Sequence, residues 1–475
     1  MSASPFKALF LTAVLAAAQP AQPLGQLIEQ ASQAEQREDL ASATRAYREI
    51  LRRKPDWGSA ELNLALILNS QRNYRDAIEY FDRALRHDSS LTSAHLGRGV
   101  ALFNLEKFEE AIAPLDHYAK ARPLDTEVHY YLGRTFESLG AYPRAIAEFQ
   151  QQLKLTPANA DALYHFGESC RLWSGLIAKQ LADDPNAVYH FTLLTAEEPQ
   201  PEEDYAITES KIRDAIRRAP EAAEAYVALG LHQLRQGRRK EAAESFQEAW
   251  KRHSTDCRIS STCTDERDAE PGFDPAATPA AAYAAFQRAK RLAESSFGKL
   301  LKLAPQSPLA AQAGAHLWEQ NGKLEQADQQ YQRAVELSRR DAVYLVDYAK
   351  FLAKQSQFDR SVALLQEALR SEPSSPVILA LLGEMLVMKG EPAAALPHLK
   401  SALASRPGDE QTRSYLAQSL ARLDRIREAV AILEAAPADP EGRLHYLLGT
   451  LYRRLGQKEK AERAFDVFRQ RKPQR

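Results

Sequence analysis

Residues 58–159 read GSAELNLALILNSQRNYRDAIEYFDRALRHDSSL, TSAHLGRGVALFNLEKFEEAIAPLDHYAKARPLD and TEVHYYLGRTFESLGAYPRAIAEFQQQLKLTPAN, three blocks of thirty-four residues with no insertion between them. Small residues recur in phase. Ala65, Gly99 and Gly133 hold one position, Ala77, Ala111 and Ala145 a second, and Phe81, Leu115 and Phe149 a third, while Pro123 and Pro157 close two of the blocks. Each block predicts two antiparallel helices: the small residues let the backbones approach, the large ones fill the space between neighbouring pairs, and proline ends the second helix. A fixed period of this length predicts an array of stacked hairpins, in which one pair cannot bury its apolar face alone.

Extending the phase in both directions accounts for most of the 475 residues. Residues 24–57 form a worn first repeat with Ala31, Ala43, Tyr47 and Pro55, as suits a terminal cap. After residue 159 the phase slips. Ala160 to about Leu181 reads as one long helix ended by Asp183-Asp184-Pro185, and Ala280–Ala304 as a second, ended by Pro305. The two suggest a long-helix module duplicated or inserted twice. Between them, residues 187–222 and 223–256 each predict a pair, the second marked by Gly230, Ala242, Phe246 and Ala249. Five more repeats begin at 308, 342, 376, 410 and 442, giving eleven in all. The expected organisation is a signal peptide over 1–18, repeats one to four over 19–159, a long-helix insertion over 160–186, repeats five and six over 187–256, an irregular loop with the second long helix over 257–307, and repeats seven to eleven over 308–475.

These marks resemble the tetratricopeptide repeat (TPR) family. The resemblance implies an all-α, right-handed superhelical solenoid of antiparallel helix pairs, here interrupted by two long helices, and a non-enzymatic scaffold that binds a protein segment. It also implies that the first helix of each pair lines a concave groove. Inward positions there are apolar in the early repeats (Leu62, Leu66, Leu96, Val100, Phe103), add Tyr130, Arg134 and Glu137 in repeat four, and turn polar and basic later: Gln312, His316, Lys350, Lys354, Gln418, Arg422, Tyr446, Arg453 and Arg454. A basic groove suits an acidic segment or a chain-end carboxylate. Some members of the family hold such a carboxylate with a Lys and Asn one turn apart on the first helix; Ile28 and Ser32 stand there, so that clamp is not carried over.

Composition narrows the partners. With 62 basic against 63 acidic residues and 44% apolar content, the chain is neither a polycation that seeks nucleic acid nor disordered by composition. Met1–Ala18 predicts an export signal: Lys7, an apolar run from Ala8, then Ala16-Ala17-Ala18 as a cleavage site, with Pro20 and Pro23 breaking the helix after it. The run is shorter than the roughly 20 apolar residues a membrane span needs, so a periplasmic or secreted protein is expected. Export places Cys257 and Cys263 in an oxidising compartment, where they are expected to form a disulfide worth about 2 kcal/mol; Cys170 falls on an apolar helix face. The acidic loop Glu197–Asp204 is a solvated connection or a contact for a basic segment. No His-Glu-x-x-His, phosphate loop, nucleophile elbow or dinucleotide fingerprint occurs, so no cofactor, metal or catalytic group is expected. The alternative to a groove-binding scaffold is a structural subunit of a pilus, secretion or polysaccharide-export assembly.

Overall fold

A computed structural model of the chain describes residues 22–197, 205–252, 278–436, 439 and 442–471. The expected signal peptide, the expected Cys257–Cys263 disulfide and nearly all of the acidic loop lie outside these residues. The described chain is all-helical and falls into two compact units, one through Thr156 and one from Pro157 onward.

The first unit holds α1 (Leu24–Gln36), α2 (Leu40–Arg53), α3 (Gly58–Ser70), α4 (Tyr74–His87), α5 (Thr92–Asn104), α6 (Phe108–Ala121), α7 (Thr126–Ser138) and α8 (Tyr142–Leu155), packed as four consecutive hairpins. The first helix of a pair is joined to the second by a tight turn with one residue in the left-handed region. Gly140 supplies it in the fourth pair (φ +70°), but Glu38, Arg72 and Glu106 adopt it in the first three (φ 57°, 61° and 58°). The packing follows the sequence marks: a Cβ at Gly99 would lie 2.5 Å from Leu115 Cγ, and one at Gly133 2.6 Å from Phe149 Cε1. Bare glycine is what lets Leu115 and Phe149, both fully buried, sit against the facing helix.

The second unit begins with α9 (Ala160–Asp183) and contains α10 (Val188–Glu197), α11 (Tyr205–Arg218), α12 (Ala223–Arg235), α13 (Arg239–Lys251) and α14 (Pro279–Leu303). It continues through α15 (Pro308–Gln320), α16 (Leu324–Leu337), α17 (Ala342–Lys354), α18 (Phe358–Ser371), α19 (Pro376–Lys389), α20 (Pro392–Ser405), α21 (Glu410–Arg422), α22 (Ile426–Glu434), α23 (Arg443–Arg454) and α24 (Lys458–Arg471). Both long helices are present, but the reading of a module inserted twice is corrected: α9 and α14 pack against each other and are the two halves of one repeat. A Cβ at Gly167 would lie 2.6 Å from Phe297 Cε1, which repeats the Gly133–Phe149 contact at a separation of 130 residues instead of 16. Ser296 Oγ donates to the Leu163 carbonyl at 2.7 Å across the same seam.

Residues 184–278 are thus inserted into the turn of a hairpin. The extra length of α9 and α14 has a use: Ile177 and Leu181 from one and Tyr283 and Phe286 from the other enter a core with Leu193, Leu194, Ile212 and Leu229 of the inserted helices. Within the insertion, α12 and α13 form a regular pair, a Cβ at Gly230 lying 2.6 Å from Phe246 Cε1. Counting the split pair, the described helices make twelve hairpins, one more than the phase of the sequence marks.

Candidate functional site

In each unit the first helices of successive pairs form a row, α1, α3, α5 and α7 in one and α9, α15, α17, α19, α21 and α23 in the other. The structure resolves the predicted groove residues into three kinds.

Some are held inside the protein. His316 is 4% exposed, its Nδ1 lies 3.0 Å from Glu168 Oε2, and Arg171 Nε donates to the same carboxylate at 2.7 Å. Burial alone would push the Glu168 carboxyl up, but Arg171 and His316 hold it well below the ordinary carboxylate range. The rings of Phe297 and Tyr331 enclose His316. It is a packing and ion-pairing residue rather than a groove surface.

Others join one repeat to the next. Arg422 Nη1 donates to the Val387 carbonyl at 2.6 Å, and Arg454 Nη1 to the Ala421 carbonyl at 3.2 Å. Each guanidinium thereby reaches the last turn of the preceding first helix. In the first unit, Arg134 Nη1 donates to the Tyr130 hydroxyl at 2.8 Å, pairs with Glu137 at 3.3 Å and lies over the Phe103 ring at 5.8 Å. This links Tyr130, Arg134 and Glu137 into one polar edge beside the apolar row, of which Leu66 is the exposed member and Leu62 and Val100 are buried.

The remainder face solvent. Lys350 and Lys354 lie one turn apart on α17, with side chains 51% and 58% exposed while pairing with Asp347 at 3.3 Å and Glu319 at 2.7 Å. Burial would raise the Glu319 carboxyl, but Lys354 and the Tyr331 hydroxyl keep it below its ordinary value. Tyr446 is half-exposed beside Phe465 and Phe468, and the Arg453 guanidinium covers the Phe465 ring at 4.6 Å.

Lys350 and Lys354 border a feature that the pattern of charged positions does not reveal. Between α17 and α19 lies a pocket of about 420 Å³ whose apolar wall is Phe358, Leu365, Leu381, Met385 and Met388. Glu384 on its far rim accepts from Gln411 Nε2 and the Tyr415 hydroxyl, both at 2.9 Å. Gln411 also lines a second pocket of about 510 Å³, with Ser414, Gln418 and Arg443. The signal for the first pocket was present in residues 376–389, PVILALLGEMLVMK, whose apolar residues occupy every face of a helix and so leave some without a neighbour.

Rows of hairpins with solvent-facing pockets define a helical-repeat scaffold. Models described as Tetratricopeptide repeat match residues 28–92, 62–125, 96–160, 203–256, 349–410 and 416–475, and a second model of the same description matches 386–443. Together they cover more than half of the chain, which belongs to the tetratricopeptide repeat family and is a protein-interaction scaffold. None of the curated proteins matches it. Among solved structures, PilF of Pseudomonas aeruginosa is 18% identical over 53% of this chain and 92% of its own, with a TM-score of 0.33. MamA is 17% identical over 51% and 97%, at 0.28. YrrB, described as a TPR protein with an unusual peptide-binding site, is 19% identical over 46% and 96%, at 0.26. Among the described residues no helix is long and apolar enough to cross a membrane.

Proposed function

We propose that this chain is an exported scaffold of the cell envelope whose second unit holds an extended or helical partner segment along the row α17, α19 and α21. The observation that carries the reading is the pocket between α17 and α19: an apolar wall with Met388 49% exposed, bordered by two lysines a single turn apart. An apolar side chain of the partner fills the pocket, and acidic residues beside it meet Lys350 and Lys354, whose ammonium groups keep donors in reserve after one carboxylate each. The two pairings already present neutralise part of the charge, so the apolar anchor supplies most of the affinity and the lysines select among partners. Lys350, Lys354, Tyr446 and Arg453 are the predicted residues that this reading retains as solvent-facing contacts, whereas Arg422 and Arg454 support the row.

A photo-crosslinking amino acid at Met388, introduced in the native host, tests the site. A discrete adduct is expected, lost on Met385→Glu and weakened on Lys350→Glu with Lys354→Glu, with helix content unchanged. Adducts indifferent to both changes would sink the groove reading. Export is tested separately by fusing residues 1–30 to a reporter phosphatase that is active only outside the cytoplasm; an inactive fusion removes the envelope from the proposal.

A further inference from the structure

The first unit contains a pair of side chains that the scaffold reading leaves unused. His95 on α5 and His117 on α6 face each other in the third hairpin with ring centroids 4.0 Å apart and planes tilted by 36°. Their positions match those of Glu61 and Arg83 one repeat earlier, where the same register brings carboxylate and guanidinium to 2.8 Å. The geometry of the hairpin therefore places these two positions within reach of each other, and in the third repeat both carry imidazole.

Three other histidines of the repeats have acceptors: His87 meets Glu61 at 2.6 Å, His129 meets Glu148 at 2.7 Å, and His232 meets the Tyr205 carbonyl at 3.0 Å. His95 and His117 meet a second imidazole instead. Burial, the neighbouring imidazole and Arg98 all disfavour a charged His95 ring. Arg98 itself is engaged by Asp82 at 2.7 Å and so is partly neutralised. His117 is exposed, which gives the pair an open side and gives its ring freedom to turn.

We propose that His95 and His117 form a two-imidazole site for a borderline divalent transition-metal ion, Cu²⁺ above all, that clips α5 to α6. Two neutral imidazoles from adjacent helices make a chelate, with metal–nitrogen bonds of about 2.0–2.1 Å reached by rotating the exposed His117. Nitrogen ligands favour Cu²⁺ over the other divalent ions of the first row. No third His, Cys, Asp or Glu joins them among the described residues, so water completes the coordination and the ion exchanges readily. The site lies between the two helices of one hairpin and is independent of the pocket in the second unit. A bound ion holds the folded hairpin and stabilises it by mass action.

The test uses the full-length chain without an affinity tag, titrated with CuCl₂ and followed by electron paramagnetic resonance and thermal melting. Expected are a Cu²⁺ signal with hyperfine splitting from two imidazole nitrogens and a melting temperature that rises with copper. His95→Ala and His117→Ala should each weaken this binding at least tenfold and abolish the thermal shift. Because His117 is exposed, His117→Ala should melt like the wild type without copper, which separates loss of a ligand from loss of fold. A wild type that shows no two-nitrogen signal, or equal copper affinity in the wild type and both variants, overturns the proposal.

Discussion

Repeat four and the split repeat make the same contact by different routes. Gly133 meets Phe149 after one turn, whereas Gly167 meets Phe297 with two further hairpins between them. The code that seats a second helix on a first is therefore local to a few side chains and indifferent to the connection. Were the connection merely flexible, lengthening it from 16 to 130 residues would cost about 2 kcal/mol of closure entropy. The inserted helices α10–α12 instead share a core with the extended ends of α9 and α14, so the added chain brings its own stabilisation.

The comparison breaks most readily at the large partner. Phe149 and Phe297 are both fully buried, and truncating either to alanine should cost about 3–5 kcal/mol in denaturant unfolding. Phe297→Ala should also loosen the inserted helices, seen as faster hydrogen exchange over α10–α13, while Phe149→Ala should leave them unchanged. A loss below about 1 kcal/mol for Phe297→Ala would contradict the pairing of α9 with α14. Valine at Gly133 or at Gly167 should cost about 1–3 kcal/mol, because each new side chain meets a ring that has nowhere to move.

A subtler difference concerns histidine. In repeat four, His129 Nδ1 faces Glu148 at 2.7 Å and Nε2 faces the Pro123 carbonyl at 3.0 Å, so only the imidazolium can donate to both. The Glu148 hydrogen bond raises the ring above its ordinary value against the opposing effect of burial, and the Pro123 carbonyl adds to the rise. A raised folded-state value means that the stabilisation is complete below the unfolded value of about 6.5 and is lost as pH climbs through the folded one. The first unit should thus melt lower at pH 8 than at pH 6, and His129→Gln should flatten that dependence; a slope that survives the change assigns it to another group.

The turns sharpen the contrast in the stabilising direction. Arg72, exposed at φ 61°, stands where Gly140 stands in repeat four. Arg72→Gly should relieve the left-handed strain by more than it adds unfolded-chain entropy, a gain of up to about 1 kcal/mol in a melt. The smallest effect should come from the largest edit. Replacing residues 174–288 with a single glycine returns Gly167 and Phe297 to a separation of 16 and puts glycine at the turn, so the rest of the second unit should keep its cooperative unfolding. An aggregated product would mean that the insertion is part of the stack's own core.

The sequence carried the hairpins because their marks recur in phase, and repeats two to four are seated by the residues that define the period. It hid the split pair because the phase looks for a large residue 16 positions after Gly167 and meets Asp183. The clue was present in halves: α9 has a first helix's glycine without a second helix's marks, and Ala293, Phe297 and Pro305 are a second helix's marks without a first. At the candidate site, composition along the first helices revealed where charge lay but not which charge was already committed. Lys354 finds Glu319 thirty-five residues back, and Arg422 finds a backbone carbonyl, a partner with no identity in the sequence. The apolar pocket was overlooked for the opposite reason, since apolar residues in a repeat are ordinarily core.

The arginine contacts give the repeats from α19 to α24 a direction. Arg422 reaches back to Val387 and Arg454 to Ala421, in each case from one first helix to the end of the first helix before it. The first helices α19 and α21 are therefore tied down at their last turns by their successors, and α21 both receives that support and gives it. Protection against solvent exchange at the last turns of α19 and α21 should accordingly fall when Arg422 or Arg454 is replaced by alanine, each guanidinium acting as the clasp on the helix end behind it.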